Sequence, residues 1–415
     1  ERRLDDGGLG LGYLIFFATL FAPFFVVGRF GGGGFALVDA FLLVGVFLIF
    51  ARSALYFGVA DKWVGSILGV PMLGLLFSVF GVGSLVGVEA GFSIGEFFSV
   101  WVQYLFLMLV LPIVASSWIR LNNVMTFLRW VGVAYISPML FTVFVTYLDY
   151  PELRSLLFDA GRATGTFGNA NVYAAMIVVV GPIYVSLISG AGWWRWIGIF
   201  GLLLSLVNLL LTASYSGMIL AVLSVFFGLL WAMWHRRLWR FSLWALFLLS
   251  VLVLAGLFLL WVGGDSALLA DRVVDRASAL AGGGVDVERL GSASVRLGLL
   301  VEGWEWIVDR SGGLWGHGLG QSSQLSQYDQ NIHMLYLLLW VEGGFGLLVI
   351  YLLFLGVLWL NSVRLARRNY EAGTLVATSL FVLICFGLFN PHMYLRFFWI
   401  PLLPAFIDWS KNLKK

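Results

Sequence analysis

Little in this chain is built to face water. Charged residues make up 11% of its 415 positions, against about 25% in an ordinary soluble domain, so a water-covered globule is excluded. Cysteine occurs once, at Cys385, which excludes an internal disulfide and a thiolate-held metal cluster. Histidine occurs four times, and the metal-site spacings H-E-x-x-H and H-x-x-E-H are missing, so no metal or other cofactor is expected. The nucleotide loop G-x-x-x-x-G-K-S/T is missing too. Lysine is the scarcest cation: Lys62, Lys411, Lys414 and Lys415 are the only lysines among 25 Lys and Arg.

What is present is apolar surface. Hydrophobic residues reach 61% and mean hydropathy is +0.95. The 19 Trp and 14 Tyr suit bilayer interfaces. This composition specifies an all-α polytopic membrane protein. A span needs about 20 apolar residues to cross about 30 Å of hydrocarbon. About twelve spans fit, near 10–29, 35–51, 64–86, 96–118, 129–148, 170–190, 196–212, 216–234, 241–262, 333–360, 374–391 and 396–409, in one transmembrane domain over 1–415. The stretch ERRLDDGG mimics the basic start of a signal peptide, but the apolar run Leu9–Phe30 behind it is long enough to remain as a span.

With both termini in the cytoplasm, 16 of the 25 Lys and Arg fall inside and 9 outside, as the positive-inside bias requires. All four lysines fall inside, so every outside cation is an arginine. The planar guanidinium fork grips phosphate in a bidentate way; a general preference of this sequence for Arg over Lys explains the asymmetry equally well.

Two outer segments are long. One is 149–169. The other, 263–332, is a large extracytoplasmic loop of about seventy residues between the ninth and tenth spans. A loop of that length is functional or disordered more often than idle. It contains SVRLGLLVEGWEWIVDR, in which Val295, Leu299, Trp306 and Val308 line one side of a helix and Glu302, Glu305 and Asp309 another. That pattern predicts an amphipathic helix lying on the membrane surface.

The candidate chemistry lies on the outer face. His333 stands between a Gln-rich stretch and a long apolar run, where an imidazole can exchange a proton at headgroup depth; a helix cap is the bland alternative. Arg162 and Arg296 each sit in a long outer segment, and a half-buried arginine needs an anion. Asp159 and Glu302 are close enough in sequence to provide one. Small residues and Asn169 and Asn171 after Arg162 mark a helix start that suits phosphate. His317, in GHGLGQ at 316–321, reads as a turn residue, and His235 and His392 as interfacial ones. Arg396, in NPHMYLR, adds positive potential to a short outer turn.

Four stretches, GRATGTFGNANVYAAM (161–176), SVRLGLLVEGWEWI (294–307), GHGLGQ (316–321) and HMLYLLLWVEGGFG (333–346), stand in the order found in the O-antigen ligase and polymerase family. The resemblance runs from about Arg162 to Gly346, and the span pattern extends it. Two positions depart from the family pattern. Met334 stands where H-N-x-Y-L has Asn, and Tyr215, in TASYSG, stands where an Arg helps hold the donor diphosphate in lipopolysaccharide ligases. The resemblance implies a GT-C-like fold, related to the peptidoglycan polymerases of cell-shape machinery, in the cytoplasmic (inner) membrane. It implies a metal-independent, inverting glycosyltransferase working on the periplasmic or outer face. The donor would be a glycan on undecaprenyl diphosphate, and the acceptor a sugar hydroxyl of lipid A core or of a second lipid-linked glycan. Membrane lipid would be the other partner; nucleic acid is not one. His333 would be the base, Arg296 and Arg162 the diphosphate ligands, and Tyr336, Tyr215 and Arg396 further substrate contacts. The rival from another class is a flippase for lipid-linked polysaccharide. Transporters carry repeats and broken or charged helices, and Asp39 and Glu342 are the clear acids placed within spans.

Overall fold

The computed structural model of the chain describes residues 26–30, 33–36, 70–87, 93–112, 115, 119–148, 157–159, 162–234, 291–309, 312–326, 331–391 and 395–409. Helix accounts for 82% of the interpretable residues, as the composition requires. In chain order the main elements are β1 (Val26–Phe30), β2 (Gly33–Ala36), α1 (Val70–Gly83), α2 (Ile94–Leu105), α3 (Val124–Leu148), β3 (Phe158–Asp159), β4 (Arg162–Ala163), α4 (Ala170–Ile188), α5 (Trp193–Thr212), α6 (Tyr215–Trp234), α7 (Gly291–Asp309), α8 (Leu335–Arg368) and α9 (Tyr370–Phe386). Four of them are long and apolar enough to cross a bilayer among the described residues: α3, α4, α5 and α8.

Three expectations are corrected. Residues 26–30 and 33–36, read as the end of one span and the start of the next, pair as an antiparallel hairpin; Gly31 and Gly32 separate the strands in sequence, the composition that favours a tight hairpin over a continued helix. The segment 396–409 is not a helical span. It folds as short 3-10 turns, Arg396–Phe398 and Leu403–Phe406, because Pro401 and Pro404 remove the amide donors a helix needs. The run 333–360 is not one straight helix either, as shown below. The expected span 241–262, most of those at 10–29 and 35–51, and residues 263–290 lie outside the described residues.

The chain divides into two compact units. One comprises Glu1–Leu128, Arg296–Ala377 and Gly387–Lys415, the other Arg129–Val295 and Thr378–Phe386. In the second unit α4 begins where Asn169 caps it, its Oδ1 accepting from the amides of Asn171 (2.9 Å) and Val172 (3.2 Å). Helices α4 and α5 form a close hairpin. A Cβ at Gly198 would lie 2.6 Å from the Ile188 nitrogen, and one at Gly201 would meet the Tyr184 ring. Small residues at such crossings let backbones approach where lipid offers no hydrophobic drive. Polar side chains fasten α3 to this pair: the Tyr184 hydroxyl donates to the Gly132 carbonyl (2.9 Å) and Asn208 Nδ2 to the Met139 carbonyl (3.1 Å). Pro138 cannot serve the Ala134 carbonyl one turn before it; the Ser137 hydroxyl does so instead, at 2.7 Å.

In the first unit the decisive element is α8. Gly344 within it has φ 75° and ψ 176°, far from helical values. The Tyr336 and Tyr351 ring centroids are 6.3 Å apart, whereas fifteen residues of straight helix would separate them by about 22 Å. The helix therefore turns sharply at Gly344. Residues 345–368, about 36 Å long at 1.5 Å per residue, still suffice for a span. Helix α1 packs where Gly346 leaves room for the Phe80 ring. Behind α8, Asn369 accepts the Ala372 amide (3.1 Å) and starts α9. The C-terminal turns lie against α8: Asn361 Nδ2 donates to the Ala405 carbonyl (2.9 Å), and Arg364 pairs with Asp408 (3.2 Å).

A side chain at residue 344 would meet the Leu314 backbone in a conformation open essentially to glycine alone. Gly344→Ala should lose about 2 kcal/mol or more, read as a lowered unfolding midpoint of the detergent-purified protein. Gly356→Ala, in the same helix with nothing within 4 Å of the added carbon, should stay within about 0.5 kcal/mol of wild type.

Candidate functional site

Helix α7 forms within the expected long loop 263–332, as its amphipathic pattern predicts. Leu299, Gly303 and Trp306 face inward; Trp306 joins Ile332, Leu337, Leu338 and Val341 in a buried cluster, with Leu300 and Met334 packed against it. Gly303 leaves space for the Ile332 side chain, which a Cβ would approach to 2.8 Å. One detail of the expected face is corrected. Val308 does not share the Trp306 side. It is 61% exposed and extends an outward stripe of Leu297, Val301 and Trp304, because 306 and 308 are about 200° apart on a helix. Glu302 and Glu305 lie between the two apolar faces. Ser326 Oγ donates to Glu302 at 2.9 Å.

The GHGLGQ stretch explains the break in α8. Gly316, Gly318 and Gly320 all have positive φ (77°, 100° and 76°), values that glycine adopts without strain. The turn they make brings the amides of His317 and Gly318 to the carbonyls of Val341 and Glu342, both at 2.9 Å. Those carbonyls are released because the helix cannot continue through Gly344. Two segments thus satisfy each other's backbone groups inside an apolar protein, where an unpaired group is expensive. His317 is buried in this turn, with Nε2 3.4 Å from the Trp306 carbonyl. Gln321 closes the far side, accepting from the Ser93 amide (3.0 Å) and donating to the Ser93 carbonyl (3.2 Å) at the start of α2.

Glu342 is buried at the break, 3% exposed. Its Oε1 accepts the Ser322 amide at 3.3 Å, and the Gly320 amide also faces it. The Ser322 hydroxyl lies 2.8 Å from the Asn331 side-chain amide. This chain of contacts fixes residue 331, and the buried Ile332 side chain fixes 332, so the backbone carrying His333 is held from two sides. His333 itself precedes α8, which begins at Leu335; the Leu335 amide donates to the Gly387 carbonyl (2.8 Å).

Arg296, in the first turns of α7, lies within electrostatic reach of His333. Partial burial lowers the affinity of the His333 ring for a proton, and the Arg296 charge lowers it further. Burial also pulls the Arg296 guanidinium below its ordinary value, though an arginine remains charged at any physiological pH. Its Nε is buried with no hydrogen-bond partner, and no carboxylate pairs with it among the described residues. Glu302 does not take that part. A half-buried cation with an orphaned donor and a neutral imidazole beside it can bind an anion and accept a proton.

Arg162 belongs to the second unit, on β4, whose backbone is in register with Asp159 on β3. Its Nε donates to the Thr212 carbonyl and its Nη2 to Asn171 Oδ1, both at 3.0 Å. Ser214 Oγ donates to the same Asn171 oxygen at 2.8 Å. Arg162 therefore joins the start of α4 to the end of α5, where Ala213 takes a left-handed φ of 44°. Tyr215 opens α6 directly after this turn. Tyr336 lies against Tyr351 across the break in α8. Arg396 opens a 3-10 turn. The side chains of Tyr215 and Arg396, and residues His235, His392 and Asp39, lie outside the described residues. Within residues 91–95 the chain also has the G-x-S-x-G spacing of a hydrolase nucleophile. Ser93 instead caps α2, its hydroxyl accepting the Glu96 amide at 3.4 Å.

Glu342 and Ser322 are the residues that sequence reasoning missed as supports of His333. The acid in V-E-G-G was visible, but its partner twenty residues away was not. Among the described residues, no group of three His, Cys, Asp or Glu could hold a metal. The chain matches no protein-family model and no curated protein.

The pairing of His333 with Arg296 has a measurable signature. His333 should titrate below the ordinary value of about 6.5 in a histidine-resolved NMR titration, and Arg296→Gln should raise that value. An unchanged titration in the variant would show that the two groups do not interact.

Proposed function

We propose that this protein is a membrane glycosyltransferase of the O-antigen ligase and polymerase kind. In this reading it moves a glycan from undecaprenyl diphosphate to a sugar hydroxyl on the outer face of the cytoplasmic membrane. The observation that carries the proposal is Arg296: a half-buried guanidinium with a buried, unpartnered Nε, beside an imidazole held neutral. That pair suits a reaction in which negative charge grows on a departing diphosphate while a hydroxyl loses its proton. Neutral His333 takes the proton from the acceptor hydroxyl. The hydroxyl oxygen forms the new bond to the anomeric carbon from the side opposite the diphosphate. The old carbon–oxygen bond breaks, and its electron pair leaves on undecaprenyl diphosphate, where Arg296 stabilises it. Attack from the opposite side inverts the anomeric centre.

Arg162 remains a diphosphate ligand in this reading: two of its donors go to Thr212 and Asn171, and a guanidinium carries five N–H donors. Orientation follows from the charge bias. Arg129 and Arg195 lie near the end of the α4–α5 hairpin opposite Arg162, since α5 is 20 residues, about 30 Å, long. The cation-rich end belongs in the cytoplasm, with both termini, and Arg162 on the outer face.

One observation favours the carrier reading instead. A broken helix with a buried carboxylate at the break, as at Gly344 and Glu342, also occurs at transport sites. The two readings separate in detergent, where no sealed compartment exists. Purified protein should transfer glycan between lipid-linked substrates there; a carrier would do nothing measurable.

In that assay His333→Ala should lose about 10²–10⁴-fold in rate while the protein still inserts and purifies normally. Arg296→Lys should also be severely impaired, because an ammonium cannot offer two parallel donors; wild-type turnover would remove Arg296 from the site. Added EDTA should leave the rate unchanged, and strong inhibition would mean that a divalent cation takes part. In cells, single repeat units stranded on the carrier after gene deletion would mark a polymerase. Full-length chains stranded there would mark a ligase.

A further inference from the structure

At the end of the second unit away from Arg162, aromatic and cationic side chains gather. The Trp193 and Trp194 rings lie 4.1 Å apart, and the Trp130 ring meets them edge-on at 6.3 and 5.8 Å. The Arg129 guanidinium stands over the Trp194 ring, 5.7 Å from its centroid. Trp193 and Trp196 are 53% and 70% exposed, and Arg195 between them is exposed as well. Tryptophans that turn outward beside arginines at the end of long apolar helices are placed for the headgroup layer.

Among the described residues no carboxylate pairs with the charge at this end. Residues 119–148 and 162–234, which supply α3, α4, α5 and α6, contain no Asp and no Glu. Neither Arg129 nor Arg195 has an ion pair among the described residues. Stacking on Trp194 engages the face of the Arg129 guanidinium and leaves its in-plane N–H donors available. The first turn of α5 adds to the positive potential: Gly192 caps it without a side-chain acceptor, and no acidic residue follows. Two arginine forks flanked by tryptophan faces fit a phosphodiester anchored at the interface, with its acyl chains beside the apolar helix surface.

We infer that Arg129, Arg195 and the Trp193–Trp196 segment form a binding site for the headgroup of an anionic phospholipid. This inference uses no residue of the proposed transfer chemistry and stands whether or not that assignment holds. The test uses the full chain purified in detergent. Its unfolding midpoint is measured with phosphatidylglycerol, with phosphatidylcholine of the same acyl chains, and with inorganic phosphate alone. Phosphatidylglycerol should raise the midpoint by several degrees, phosphatidylcholine clearly less, and phosphate not at all. In the Arg129→Gln, Arg195→Gln double variant most of that shift should disappear. The exposed single variant Arg195→Gln, which removes no packing, should lose part of it. Retained phosphatidylglycerol counted by native mass spectrometry should fall in parallel. Equal shifts from the two lipids would reduce the cluster to an interfacial anchor, and a shift from phosphate alone would show that the lipid is not the ligand. A double variant with the wild-type shift would place the lipid elsewhere. Each of these three results overturns the inference.

Discussion

The turn of α8 at Gly344 depends on an exchange of backbone hydrogen bonds. A helix that stops inside an apolar environment leaves carbonyls without donors, at a cost of several kcal/mol for each unsatisfied group. Here the carbonyls of Val341 and Glu342 find the amides of His317 and Gly318. Glycine at 316, 318 and 320 lets the loop present those amides without strain, because all three adopt positive φ. The break and the loop therefore require one another. Their union buries Glu342, and Glu342, through Ser322 and Asn331, holds the segment that carries His333.

The electrostatics around His333 follow from the same contacts. Helix α7 packs its inner face on the first limb of α8, and this brings Arg296 toward His333. Burial lowers the affinity of the His333 ring for a proton, and the Arg296 charge lowers it further, so the neutral imidazole is favoured. The same arrangement leaves the arginine without a counter-charge. A half-buried cation without a carboxylate partner among the described residues thus stands near an imidazole of lowered proton affinity. In the reading proposed here the anion is the diphosphate of a polyprenol and the proton comes from the acceptor sugar.

Much of the fold was legible from composition and periodicity. Long apolar runs between caps gave α3, α4, α5 and α6 close to their observed positions, and the alternation around residues 295–307 gave α7. What could not be read were features set by partners distant in sequence. The turn at Gly344 needs residues 316–318; V-E-G-G alone looks like a tolerated glycine pair inside a span. The inward side of α7 was assigned to Val308 because hydrophobicity marks two faces of that helix, one against Ile332 and one turned outward. Prolines 401 and 404 were visible, but an apolar run of fourteen residues outweighed them in the reading. At the site, His333 and Arg296 were legible as residues of one site, and the support that Glu342 gives residue 331 through Ser322 was not. Arg162 looked identical to Arg296 in sequence, and only its contacts with Asn171 and Thr212 set it apart.

The central claim is that the Arg296–His333 pair is a seat for a diphosphate, and direct binding tests it most simply. Binding of a short-chain polyprenyl diphosphate to the purified protein, compared with the monophosphate and the free alcohol, needs no glycan and no turnover. The account predicts that the diphosphate binds best and that Arg296→Gln weakens it by about tenfold to a hundredfold, the loss of one charge-assisted hydrogen-bonding group. Equal affinity for the alcohol and the diphosphate, or full affinity in Arg296→Gln, would contradict it.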